Sequence, residues 1–384
     1  MIGYLIILLV VASTTLVATW VLSKFAPRIG AMAYPSARSV HEKPMPLIGG
    51  IAMILGLLVG LLVAMSMKQF DDMFRGSTEP LALVLGAGII VFVGFVDDVR
   101  EVSPPAKVAG QVLAGSVMSL LGLSLLYFRI PFASFDYIIL SPDLAPVFTV
   151  LTVVVMANAI NLIDGLNGLA AGICLIAGSA LFLYSDRLFD AGLLESSNLG
   201  PLIAIITVGM CIGFLPFNFL KPLSFMGDSG ALLLGLMLAA CTVSVGGRVA
   251  DQFSGQTYFF FAPVFIPLVI LGVPLADTLF SFFRRMIRRK SISVADKDHM
   301  HHRLMRLGHG PRRTVVILWL WTALLSALVL IPTYTDGVGN AVIPFAIPAL
   351  ALILYAFFSP SRSEVRREDE AAQNARKALK AEAP

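Results

Sequence analysis

The segment NAINLIDGLNGLAAG, Asn158 to Gly172, closes an apolar run with Asn158, Asn161, Asp164 and Asn167 at three-residue spacing. A helix keeps side chains at that step within roughly half its circumference, so the spacing predicts one polar wall. Burying an Asp at the centre of a membrane helix costs about 2.5 to 3.5 kcal/mol on insertion scales, so this wall should face a wet cavity or lie at a membrane surface. Gly165 and Gly168 fit a helix opening into a loop where backbone approaches a ligand.

Four more stretches carry polar chemistry. FVGFVDDVREVSPPAK presents Asp97 and Asp98, adjacent carboxylates that repel and so imply a divalent ion or a basic residue beside them. Lys107 opens the next apolar run and either snorkels to the surface or points at a phosphate. In FNFLKPLSFMGDSGALLLG, Asp228 reads as the N-cap of a long apolar helix or as a ligand of Mg2+, which takes one or two carboxylates plus phosphate oxygens; Asn218 is a candidate second metal ligand. RSVHEKPMPLIGG places Lys43 and the Gly49-Gly50 pair at a membrane entrance, as a rigid turn or as a groove where backbone lies against a ligand. In the basic stretch ending HMHHRLMRLGHGPRR, Asp298 caps a short helix that runs to Leu307 and stops at Gly308. His299, His302 and Arg303 share one face of it and His301 points elsewhere. No Cys joins them, so they fall short of a zinc site, and the face suits a nucleotide or phosphate, or else lipid headgroups.

The elements that must hold these residues are membrane helices. Of the 384 residues 57% are hydrophobic and 14% charged, too apolar for a soluble domain with a polar coat. Apolar runs long enough to span a bilayer recur along the chain, at 4–23, 47–67, 80–96, 108–128, 145–163, 168–184, 200–216, 229–246, 257–283, 314–332 and 340–358, predicting an all-α polytopic bundle of about eleven spans. Residues 1–358 read as one integral membrane domain, with loops 24–46, 97–107, 217–228 and 284–313 on one side, and 359–384 as a charged tail, disordered or a frayed helix. That side collects all of the 28 Lys and Arg except Lys68, Arg75, Arg129, Arg187 and Arg248. By the positive-inside rule it is cytoplasmic, with the N-terminus outside and the C-terminus inside. The net charge of +4 follows from this asymmetry and reports orientation and attraction to anionic headgroups or phosphates, not nucleic acid. Cys174, Cys211 and Cys241 all fall within spans and read as packing residues.

Taken in order, the DD pair, NAINLIDGLNGLAAG, the MGDSG loop and HMHHR resemble the polyprenyl-phosphate N-acetylhexosamine-1-phosphate transferases. This membrane family includes the phospho-N-acetylmuramoyl-pentapeptide transferase and the bacterial and eukaryotic N-acetylglucosamine-1-phosphate transferases. The resemblance spans roughly Arg38 to Gly308. It implies transfer of a sugar 1-phosphate from a UDP-sugar to undecaprenyl or another polyprenyl phosphate, with release of UMP and with Mg2+ or Mn2+, at the cytoplasmic face of the inner membrane. Carried onto this sequence, Asp97 and Asp98 match the pair that acts as base or holds the lipid phosphate and metal, Asp228 the magnesium ligand, Asn218 a diphosphate-site residue, and Lys43 and Lys107 phosphate-contacting lysines. Asn158, Asn161, Asp164 and Asn167 match the nucleotide and sugar loop, and His299, His301, His302 and Arg303 the histidine motif, whose form resembles the N-acetylglucosamine group and points to UDP-GlcNAc. Where many bacterial members read DGLDGL, Asn167 replaces a carboxylate: it can hydrogen-bond uracil but supplies neither a base nor charge. The expected partners are UDP-GlcNAc, undecaprenyl phosphate, the bilayer and a second copy in a homodimer. An ion-coupled transporter, the main rival, predicts mid-membrane acids and inverted repeats, whereas here the acids gather at the span ends on one face. A non-enzymatic scaffold would use the basic loop and the tail for docking.

Overall fold

In the computed structural model the described residues are 1–34, 44–128, 138–220, 222–246, 309–334, 347–352 and 355. Lys43, His299, His301, His302, Arg303, the run at 257–283, most of that at 340–358 and the tail therefore lie outside the described residues.

Each expected span within the described part is met by a helix. The order is α1 (Ile2–Ile29), β1 (Met32–Ala33), β2 (Met45–Pro46), α2 (Gly49–Met65), α3 (Asp71–Phe74), α4 (Glu79–Val99), α5 (Pro104–Leu120), β3 (Tyr127–Phe128), β4 (Ile138–Ile139), α6 (Leu144–Ile163), α7 (Leu169–Asp190), α8 (Gly200–Leu215), α9 (Gly227–Gly246) and α10 (Pro311–Tyr334). Six of these helices, α8 counted with its extension to Phe219, are long and apolar enough to cross a membrane, and α2 with the turns to Phe74, bent by 94°, makes a seventh. The short strands pair as two antiparallel ribbons, β1 with β2 and β3 with β4.

Helix ends differ from expectation where they matter most. α4 runs on to Val99, so Asp97 and Asp98 sit on its last turn rather than in a loop. α5 opens at Pro104-Pro105, where proline costs no hydrogen bond because the first helical N–H groups lack intrahelical partners. The expected loop 97–107 thus shrinks to the few residues between α4 and α5, and Lys107 becomes a first-turn helical residue.

α9 is the axis of the bundle. From Ser229 to Gly246 every residue is buried, and α2, α4, α6, α7 and α8 pack around it. A helix that is apolar all round is one enclosed by protein or lipid, and here protein encloses it. Small residues let the backbones approach: a Cβ at Gly94 would meet the Ser229 backbone, one at Gly235 that of Ala157, and one at Gly50 Ser229 and Gly230. Gly49 and Gly50 therefore receive chain, not ligand. Their N–H groups donate to the carbonyls of Phe225 and Met226 at 3.3 and 3.2 Å, and Phe225 N–H donates to the Pro46 carbonyl at 2.8 Å.

Antiparallel succession of the helices sends their connections to two ends. At one end the α1–α2, α4–α5, α6–α7 and α8–α9 connections meet through the contacts just given and those of the acids below. At the other, Ser196 Oγ donates to Asp72 at 2.9 Å and Thr78 Oγ1 to the Leu121 carbonyl at 2.5 Å.

Candidate functional site

The last turn of α4 holds the amino end of α9. Asp98 Oδ1 accepts from Asp228 N–H at 2.7 Å, and Asp98 Oδ2 accepts from Ser229 N–H at 3.2 Å and Ser229 Oγ at 2.7 Å. A helix N-terminus presents unpaired N–H groups and a partial positive charge, both met by a carboxylate. The cap of α9 thus comes from another helix, and Asp228, for which the sequence offers a cap or a metal ligand, turns its side chain to other partners. Gly227, at φ 71°, gives the turn that brings the backbone onto Asp98.

Those other partners form an ionic bridge across three helices. Lys107 Nζ on α5 contacts Asp97 Oδ2 of α4 at 2.7 Å and also Asp228 Oδ2 of α9. Asp97 Oδ1 accepts from Val102 N–H at 2.8 Å, which folds the α4–α5 connection back onto the pair. Asn161 Nδ2 of α6 reaches Asp228 Oδ2 at 3.5 Å. The cation that an adjacent pair of carboxylates requires is therefore Lys107, although it serves Asp97 while Asp98 is served by helix N–H groups.

The expected polar wall is only half helical. α6 stops at Ile163, so Asn158 and Asn161 share its surface, Asp164 caps its end, and Asn167 is exposed in the following turn. Asn158 is taken up within the protein by Gln111 and the Val154 carbonyl. Asn218 departs from its expected role as a metal ligand. It is 2% exposed, its Oδ1 accepts from Gly168 N–H at 2.6 Å and its Nδ2 donates to the Ser224 carbonyl at 3.1 Å. Both ends of its amide are spent on backbone, and the residue ties the α6–α7 turn to the α8–α9 connection. Ser229 and Gln111 carry no signal in the sequence beyond the Ser of MGDSG and a Gln one helical turn after Lys107.

Among the described residues no three of His, Cys, Asp and Glu gather as a metal-ligating group. The donors present are hard carboxylate oxygens, Asp97 and Asp228, and these fit a cation that takes one or two carboxylates and completes its shell with phosphate oxygens and water. Desolvation pushes the Asp164 carboxyl up to about 7, and the neighbouring Asp228 and Asp98 carboxylates add to the rise. A carboxyl whose folded pKa lies above its unfolded value stabilises the fold fully below the unfolded pKa, and that stability is lost as pH rises through the folded one. In chelator, the apparent thermal midpoint should therefore fall relative to that of Asp164→Asn between about pH 4 and pH 8, the two converging at the acid end. Parallel midpoint curves across that range would refute the shift.

The family model described as glycosyl transferase family 4 matches residues 80–246. The decaprenyl-phosphate N-acetylglucosaminephosphotransferase of Mycobacterium tuberculosis (strain ATCC 25618 / H37Rv) is 35% identical over 321 residues, 83% of this chain and 80% of that protein. The probable undecaprenyl-phosphate N-acetylglucosaminyl 1-phosphate transferase of Bacillus subtilis (strain 168) is 33% identical over 320 residues, 83% of this chain and 82% of that protein. The undecaprenyl-phosphate alpha-N-acetylglucosaminyl 1-phosphate transferase of Escherichia coli (strain K12) is 28% identical over 347 residues, covering 87% and 84%. With such identity over most of its length, and with the acids of its motifs drawn to one end of a helical bundle, the chain belongs to glycosyl transferase family 4, the polyprenyl-phosphate N-acetylhexosamine-1-phosphate transferases.

Proposed function

We propose that the protein transfers N-acetylglucosamine 1-phosphate from UDP-GlcNAc to undecaprenyl or another polyprenyl phosphate, at the cytoplasmic face of the inner membrane, as the first membrane step of an envelope polysaccharide. The observation that carries this reading is the bridge of Lys107 between Asp97 and Asp228 at the meeting point of α4, α5 and α9. The relatives' names add the acceptor class and the N-acetylglucosamine group.

An oxygen of the lipid phosphate attacks the phosphorus that carries the sugar. A new P–O bond forms, the bond to the bridging oxygen breaks, and UMP leaves with that electron pair. The acceptor is already largely ionised near neutral pH, its second pKa being about 6, so no strong base is needed. What the protein must supply is approach and charge balance. Where α4, α5 and α9 meet, the carboxylates of Asp97, Asp98 and Asp228 outnumber the ammonium of Lys107, a local excess of negative charge that would repel two phosphorylated substrates. Asp98 spends its charge on the α9 terminus. Asp228, with Asp97, would hold Mg2+, which when bound would offset the phosphate charge and leave Lys107 to pair with a phosphate. Lys43 and His299 to Arg303 would bring further cationic and hydrogen-bonding groups. Asn161 and Asn167 would hydrogen-bond the donor.

Purified protein, undecaprenyl phosphate and a panel of UDP-sugars should release UMP fastest with UDP-GlcNAc, and excess chelator should abolish the release. Preference for another UDP-N-acetyl sugar would reassign the donor. If no UDP-sugar yields UMP, the transferase reading falls and ion-coupled transport becomes the better one.

A further inference from the structure

Gln111 is fully buried on α5, one helical turn beyond Lys107. It exchanges a pair of amide hydrogen bonds with Asn158 of α6: Asn158 Nδ2 donates to Gln111 Oε1 at 2.6 Å and Gln111 Nε2 donates to Asn158 Oδ1 at 3.4 Å. Asn158 Nδ2 also donates to the Val154 carbonyl at 2.7 Å, so the donors of that amide are fully used inside the bundle. Lys107 and Gln111, four apart on α5, thus face Asn161 and Asn158, three apart on α6, the first two through Asp228 and the second two directly. The upper rung ends on Asp228, which accepts from both Lys107 and Asn161, and the lower rung is the amide pair.

We propose that Gln111 is a positioning residue for the transfer reaction: its paired amide with Asn158 fixes α5 against α6 so that Lys107 and Asn161 converge on Asp228. The inference rests on the transferase reading given above. Two amides that satisfy each other away from water tolerate little sliding, because any shift leaves a buried donor or acceptor unpaired. Apolar contacts that slip leave no buried polar group unpaired, since lipid tails are as apolar as leucine, so the amide pair adds a penalty that they lack. Asn158 on this account belongs to the frame of the site and does not touch substrate.

Steady-state UMP release by the full-length protein, with thermal midpoints, tests this in a cycle of Gln111→Met, Asn158→Leu and the double variant. Misplacing the charged groups by a fraction of an ångström acts on the chemical step, so Gln111→Met should lower kcat by about tenfold or more while KM for UDP-GlcNAc stays within about twofold. The double variant should lose no more than the worse single one, as expected for two residues acting through one contact. The exchanged pair, Gln111→Asn with Asn158→Gln, should recover much of the kcat that Gln111→Asn alone loses. An unchanged kcat in Gln111→Met, or losses that multiply in the double variant, would overturn the inference. If Gln111→Met does not fold, the exchanged pair decides: no recovery over Gln111→Asn overturns it. Wild-type UMP release tests the transferase reading separately, so failure of one is not mistaken for failure of the other.

Discussion

Asp228→Asn is expected to lower the kcat of UMP release by about a thousandfold with little change in thermal midpoint, the upper end of what loss of one preorganised charged group costs an enzyme. Asparagine keeps the size of the side chain and one oxygen. It can still accept from Lys107 and Asn161, so the bridge that joins α5, α6 and α9 stays largely in place. The Asp98 cap is untouched, because it is made to the N–H of residue 228 and not to its side chain. What disappears is the formal charge that would hold a divalent cation beside the two phosphates and that balances Lys107 when the site is empty. A variant that binds UDP-GlcNAc with near-normal KM yet fails to turn it over would have the signature of lost transition-state stabilisation. Activity within about tenfold of wild type would show that Asp228 is not the charge the reaction depends on, whatever becomes of the transferase assignment.

The sequence made the helices and their order legible, because spans of apolar residues between polar loops have one stable form in lipid. It also made legible that Asp97, Asp98, Asp164 and Asp228 end up at one end of the bundle. It did not divide the labour among them. Asp97 and Asp98 look equivalent as neighbours in sequence, yet successive positions on a helix point about 100° apart. One therefore meets Lys107 and the other the start of α9, which comes from a distant part of the chain. Asn218 misled for a related reason: an Asn between two spans reads as an exposed ligand until the backbone that saturates it is seen. Gln111 is not legible because a single amide in an apolar helix has no local signature, and its meaning lies in the Asn158 opposite. The central position of α9 could not be read either, since hydropathy does not separate a helix wrapped in protein from one wrapped in lipid.

The α9 cap gives the second large effect. Gly227→Ala should depress both the thermal midpoint and kcat, the latter by about a hundredfold, through the loss of ordering at Asp228. Gly227 lies at φ 71°, and a Cβ there would stand 2.5 to 2.8 Å from the carboxyl atoms of Asp98. The left-handed conformation costs an L-residue roughly 1–2 kcal/mol. The clash adds more, because Asp98 must withdraw from the N–H groups of Asp228 and Ser229, and a buried donor left unsatisfied costs about 1–3 kcal/mol. Nothing replaces Asp98 easily: Gly94 on the same helix is packed against the Ser229 backbone, so α4 has no room to follow the displaced turn. Gly76→Ala separates the two costs. Gly76 has φ 72° with no atom within 4 Å of its would-be Cβ, so that substitution carries the backbone cost alone, at the opposite end of the bundle. It should lower the midpoint modestly and leave kcat alone. Equal losses of stability and rate in the two variants would mean that Asp98 yields freely to the added methyl, and that the cap does not hold Asp228 in place.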